Sequence, residues 1–195
     1  MSIYLVTNSD IRTYLKMSTN LVTQTETFLS DLIEEITGKI YNEVNQDILT
    51  KTTVYQTKGN GLNCLTLPNF PVQSLSGIRY KEIGIGDTWK SFLTTDYEFE
   101  KDGIIYTVYL INNLFKENYT YEFTYTYGYA TCPADLKLST IKLVAEAYKQ
   151  SNYGEGYLGK QSISGSLNGV SDSTSFADVW KQELNTIENY KIIAF

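Results

Sequence analysis

YTYEFTYTYGYATCPADLKLSTIKLVAEAYK, residues Tyr119–Lys149, begins as one kind of polymer and ends as another. Up to Tyr127, aromatic residues alternate with Thr and Glu, the period of a strand with one buried face. Gly128 to Cys132 breaks that period. Pro133 then suits the first position of a helix, with Thr131 or Cys132 as cap and Asp135 in the first turn. Leu138, Ile141, Val144, Ala145 and Tyr148 follow at helical spacing and predict its apolar face. A strand that feeds directly into a helix through a proline is the point from which the rest of the chain can be placed.

Upstream, Thr7–Asp10 offers cap residues for a short helix through Ile11, Tyr14 and Leu15, ending near Met17. Thr23-Gln-Thr-Glu26 has capping-box spacing. Phe28, Leu29, Leu32, Ile33, Ile36, Ile40 and Val44 then draw one apolar stripe along a helix of about five or six turns. Gly38 interrupts it at a cost of about 1 kcal/mol relative to Ala, which predicts close packing or a bend there. From Thr52 the period becomes two. Thr52–Gln56 and Leu62–Leu67 flank Thr57-Lys-Gly-Asn-Gly61 and predict a hairpin. Pro68 and Pro71 break pairing, because proline donates nothing to a ladder. Val72–Tyr80, Asp96–Glu100, Ile104–Leu110 and Tyr119–Tyr127 are the remaining strand candidates, with Glu82–Trp89 as a hairpin loop and Lys101-Asp-Gly103 as a tight turn. The expectation is five or six strands in a small antiparallel sheet or half-open barrel.

Downstream, Ser151–Ser175 is rich in Gly and Ser and poor in core residues, and a loop of that length is functional or disordered. Phe176, Val179, Trp180, Leu184, Ile187 and Tyr190 mark a last amphipathic helix. Its stripe must be buried against its own domain or against a neighbour. Trp180 reads as core or as an interface anchor, and spacing alone does not separate the two.

Composition narrows the chemistry. The 195-residue chain carries a net charge of −6 and only two arginines, Arg12 and Arg79, a poor basis for reading nucleic acid. Histidine is absent, which removes imidazole bases, imidazole metal ligands and the usual triads. No convergent carboxylates, cysteine cluster or phosphate loop replaces them, so no catalytic, cofactor-binding or metal residue is assigned. No apolar run reaches membrane-spanning length. The N-terminus lacks the layout of a signal peptide, so the expected setting is a cytoplasm, with Cys64 and Cys132 as reduced thiols. The 17 tyrosines admit two readings, surfaces buried on assembly or a β-rich domain with biased composition.

The order of elements, taken with Leu67-Pro-Asn-Phe-Pro-Val72, Thr126-Tyr-Gly-Tyr129, Cys132-Pro-Ala-Asp-Leu-Lys137 and Ile163-Ser-Gly-Ser166, resembles the head–tail connector proteins of tailed bacteriophages, also called adaptor or head-completion proteins. The likeness spans roughly Thr7 to Tyr190. It implies an α+β, mainly helical connector fold over residues 1–150 with an inserted β-subdomain at about 52–130, followed by an assembly loop and C-terminal helix over 151–195. It further implies a structural, non-enzymatic subunit of a homo-oligomeric ring, typically twelve-fold, at the head–tail junction of a virion. The ring docks on the portal protein, receives a stopper or tail protein, and passes DNA without sequence-specific binding and without membrane contact. Candidate interface residues are Tyr153, Tyr157, Leu158, Ile163, Leu167, Val170, Phe176, Trp180, Tyr190 and Phe195. Some of the tyrosines of Tyr119–Tyr127 are expected to face a neighbour as well. The rival reading is a Tyr-rich β-module that binds carbohydrate or protein in a phage tail.

Overall fold

The computed structural model describes residues 4–17, 23–84, 88–102, 105–151, 153, 163–167, 170–174 and 176–192; for 163–167 and 170–174 it describes the backbone. Four helices and nine strands lie among them: α1 (Asn8–Leu15), α2 (Thr23–Val44), β1 (Lys51–Lys58), β2 (Cys64–Leu67), β3 (Val72–Glu82), β4 (Lys90–Ser91), β5 (Tyr97–Asp102), β6 (Ile105–Leu110), β7 (Tyr119–Tyr127), α3 (Ala134–Lys149), β8 (Ile163–Leu167), β9 (Val170–Thr174) and α4 (Phe176–Glu188). They form two compact units. One comprises the described parts of 1–48 and 132–191, the other residues 49–131 with Ile192.

The helical unit starts with a capping box one helix earlier than the sequence suggests. The Thr7 side chain accepts from the Asp10 amide, while the Asp10 carboxylate accepts from the Thr7 amide at 2.9 Å. Glu26, expected to close such a box, instead pairs with Arg12 and accepts from Asn8 Nδ2 at 2.9 Å. The stripe on α2 buries Leu29, Ile33, Ile36, Ile40 and Val44. On α3 the buried side chains include Leu136, Leu143 and Val144, whereas Leu138, predicted inside, is 47% exposed. Pro133 is itself the N-cap of α3, and its carbonyl accepts from the Lys137 amide at 2.8 Å. Gly38 is exposed on α2, and a Cβ placed there would meet nothing within 4 Å. Close packing, one of the two reasons expected for this glycine, is absent.

The β unit corrects the expected fold class. The protein is α+β but not mainly helical: seven strands build two antiparallel sheets, ordered β1-β7-β3-β4 and β2-β6-β5. Val72–Tyr80 belongs to the long β3, which bends around irregularities near Ser74 and Gly77 to keep its pairing with β7. The predicted hairpin of 52–56 with 62–67 does not form. β1 pairs with β7 and β2 with β6, because the 59–63 connection carries the chain from one sheet to the other. Gly59 makes that crossing possible, since a Cβ there would overlap the carbonyl oxygens of Phe115 and Lys116. β5 and β6 do form a hairpin, with Asp102 opposite Ile105.

β7 occupies the middle of its sheet, and that position decides the fate of its tyrosines. Tyr121, Phe123, Tyr125 and Tyr127 are all at most 4% exposed and join Phe115, Tyr106 and Val108 in one core. The rings of Phe115 and Tyr121 meet edge-on at 4.9 Å, and Tyr125 donates its hydroxyl to Asn69 Oδ1 at 2.5 Å. Burying four aromatics on this one strand supplies much of the hydrophobic stabilisation of the unit, roughly several kcal/mol. The expectation that one edge of this strand serves a neighbour is therefore overturned for these four residues. Phe or Ala at those positions is a matter of folding.

Candidate assembly surface

Of the candidate residues after Lys149, Tyr153, Phe176, Trp180 and Tyr190 are described in the helical unit, where α4 is held by a polar clamp. Glu183 is buried and accepts from Ser139 Oγ and from Lys142 Nζ, each at 2.6 Å. Burial alone would raise this carboxyl, but the hydrogen bonds from Lys142 and Ser139 outweigh it and hold Glu183 below the ordinary range. Below α4 the chain continues to Tyr190, whose hydroxyl donates to Asp135 Oδ1 at 2.7 Å and whose carbonyl accepts from Gln46 Nε2 at 2.9 Å. That hydrogen bond lowers the Asp135 pKa. α1 is tied in the same way, by Lys137 to Asp10 at 2.8 Å.

Tyr190 is thus a core residue of the helical unit, 9% exposed. Its place at the end of the stripe is read correctly from spacing, but its hydroxyl partner on α3 is not visible in spacing. The other candidates fall into three groups. Tyr153, Phe176 and Trp180 are described with their surroundings. Ile163, Leu167 and Val170 lie in the β8–β9 hairpin, with Ile163 opposite Thr174 and Leu167 opposite Val170. Tyr157, Leu158 and Phe195 lie outside the described residues.

Of the first group, Phe176 lines an open groove of about 320 Å³ between α2, α3 and α4, together with Phe28, Leu32, Ile36 and Lys39 among others. Tyr153 is 44% exposed and stacks on Phe28 with ring centroids 4.6 Å apart. Its carbonyl accepts the Tyr148 hydroxyl at 2.7 Å. On the α4 side, Phe176 and Trp180 are half-buried with centroids 6.2 Å apart, and the Lys39 ammonium lies 5.4 Å from the Phe176 ring. Phe28 and Leu32 complete this apolar lining. Their spacing on α2 marks them as core, and only the position of α4 shows that they border a groove.

Ser139 and Lys142 both donate to the one buried Glu183 carboxylate, so their polar atoms are engaged within the helical unit. Cys132 is a free thiol whose pKa burial pushes up to about 12, far from a reactive thiolate at neutral pH. Cys64 is a free thiol as well. Among the described residues no group of His, Cys, Asp or Glu is placed to hold a metal, and no helix is long and apolar enough to cross a membrane.

The described chain thus combines a helical unit bearing an apolar groove, a hairpin ahead of its last helix and a two-sheet β unit. The chain belongs to the head completion protein family, whose profile matches residues 4–165. Solved structures share the fold. A chain from the neck of an empty gene transfer agent (GTA) particle, computed with C6 symmetry, aligns with a TM-score of 0.61 at 13% identity over 98% of this chain and 91% of that one. A chain from the virion of a native gene transfer agent particle gives 0.60 at 13% identity, with the same coverage of 98% and 91%. One from the neck of a native GTA particle, computed with C12 symmetry, gives 0.54 at 12% identity over 96% and 88%. Among curated proteins none matches.

Proposed function

We propose that this protein is a subunit of a head–tail connector ring in a tailed phage or phage-like particle. It docks under the portal, extends the DNA channel and offers the platform on which the next connector or tail component sits. The observation that carries this reading is the family match over residues 4–165 together with a fold shared almost end to end with chains of neck structures. Those structures were computed with six-fold and twelve-fold symmetry, which supports a closed ring, with twelve copies as the family expectation. The role is geometric, so the subunit needs no cofactor and no catalytic group.

In this reading the β8–β9 hairpin and the groove beside α4 make the contacts to neighbouring copies or to the portal. An isolated two-stranded hairpin is marginal in water and gains its stability by packing on something larger. The acidic balance of the chain, −6 overall, fits a lining that repels phosphate and lets DNA slide. The rival carbohydrate-binding module needs exposed aromatic platforms, and the β7 aromatics are in the core instead.

The test is assembly on purified portal rings, followed by mass and electron microscopy. Removing 153–195 would strip α4, with its buried Ile187 and Glu183, from the helical unit, so loss of assembly there would report misfolding. Replacing residues 163–174 by a flexible linker of equal length leaves α4 in place. Retained ring formation and portal docking by that variant would remove the hairpin from the interface.

A further inference from the structure

A closed ring needs two different surfaces on each copy that fit one another head to tail. The β unit carries such a pair, and the inference that follows rests on the ring reading above. β1 ends the four-stranded sheet on one side and β2 ends the three-stranded sheet, with residues 59–63 holding the end of β1 beside the start of β2. At the other ends of the two sheets lie β4 and β5, tied together by residues 92–96. The unit therefore has two flanks made of sheet edges, one from β1 and β2 and one from β4 and β5.

Each flank includes one longer edge strand that has neither proline nor bulge. β1 runs for eight residues in unbroken register with β7, without proline or bulge, and β5 pairs with β6 for six residues in the same regular way. Their charges are opposite. Lys51–Leu67 contains two lysines and no acid, whereas Lys90–Asp102 contains Asp96, Glu98, Glu100 and Asp102 against Lys90 and Lys101. Lys58, Glu98, Glu100 and Asp102 are exposed, and among the described residues none of them enters an ion pair within the chain. Each flank also presents aliphatic side chains to solvent: Val54 and Leu62, 54% and 56% exposed, on one, and Leu93, 70% exposed, on the other.

We propose that the β1/β2 flank of one copy docks against the β4/β5 flank of the next copy, and that this contact closes the ring. Lys58 meets the Glu98/Glu100 side, the aliphatic side chains are covered, and unsatisfied edge amides and carbonyls gain partners. Lysine on an edge also deters wrong pairing, so the same residue selects an acidic partner over a second β1 edge.

The experiment uses the full chain with portal rings and two variants, Lys58→Glu and the double variant Glu98→Lys/Glu100→Lys. All three positions are exposed, and circular dichroism with thermal melting establishes that both variants fold. The expected result is that each variant alone needs at least tenfold more protein to assemble, while an equimolar mixture of the two assembles like the wild type, because every interface in an alternating ring is again between opposite charges. Two variants that assemble as readily as the wild type would overturn the inference and leave the ring standing. So would losses that mixing does not repair. A wild type that stays monomeric on the portal would overturn the ring reading itself.

Discussion

Glu183 shows how a single side chain fixes an element whose apolar stripe is short. α4 buries only Glu183 and Ile187 among the residues of the helix, so the bonds from Ser139 and Lys142 determine how it lies on α3. A carboxyl with a folded pKa below its ordinary 4.5 contributes stability that is fully present above that value and lost as the pH falls through the folded pKa. Glu122, lowered by Arg79 and Gln56, and Asp135, lowered by Tyr190, have the same sign. Urea unfolding is therefore expected to show falling stability below about pH 4.5. Glu183→Gln should cost roughly 1–3 kcal/mol at pH 7, with the difference from wild type shrinking in acid. A constant difference across that range would show that the charge is not what matters. Two glycines make the opposite pair of predictions. Gly38→Ala should stabilise by about 1 kcal/mol, since open space surrounds the site and helix propensity alone changes. Gly59→Ala should destabilise by roughly 1–3 kcal/mol, because main-chain carbonyls must move to admit the methyl group. Chemical denaturation reads both. At this scale the sequence is informative about which residues pair poorly with water, and silent about partners. Glu122 sits on the strand face that alternation assigns to solvent, yet it is 3% exposed, because Arg79 from β3 and Gln56 from β1 close over it at 2.5 and 2.6 Å.

Among the elements, those with strong local periods are legible and those whose identity depends on pairing are not. Tyr119–Tyr127 and the stripe on α2 have the bounds that the residues suggest, because alternation and 3.6-residue spacing are local signals. The partner of β1 is not local: the turn-rich stretch at 57–61 looks like a hairpin, but it crosses between sheets, and only the register with β7 reveals this. The same holds for the tyrosines. Composition allows them to face a neighbour, and it is the central place of β7 between β1 and β3 that buries them. Phe123→Ala should therefore cost about 3–5 kcal/mol of stability, as for other buried aromatics. Trp180 is different. It is half-buried beside Phe176, itself a groove-lining residue, so Trp180→Ala should weaken assembly more than it lowers the melting temperature of the monomer. A large fall in melting temperature with normal assembly would return Trp180 to the core.

For the molecule as a whole, the division of labour follows from where the apolar surface goes. The aromatics fill the β unit, the aliphatic stripes of α1 to α3 fill the helical unit, and what remains outside is a groove, a hairpin and two oppositely charged flanks. Docking of charged flanks is screened by salt over a Debye length of about 8–10 Å near physiological ionic strength, so ring assembly should weaken as salt rises. The most direct test of the connector role is a cryo-electron microscopy reconstruction of the head–tail junction from intact particles that contain this chain. The account predicts a single closed ring of this fold, twelve copies against the portal, coaxial with the DNA channel. Density for the chain elsewhere in the particle, or a junction without such a ring, would contradict it.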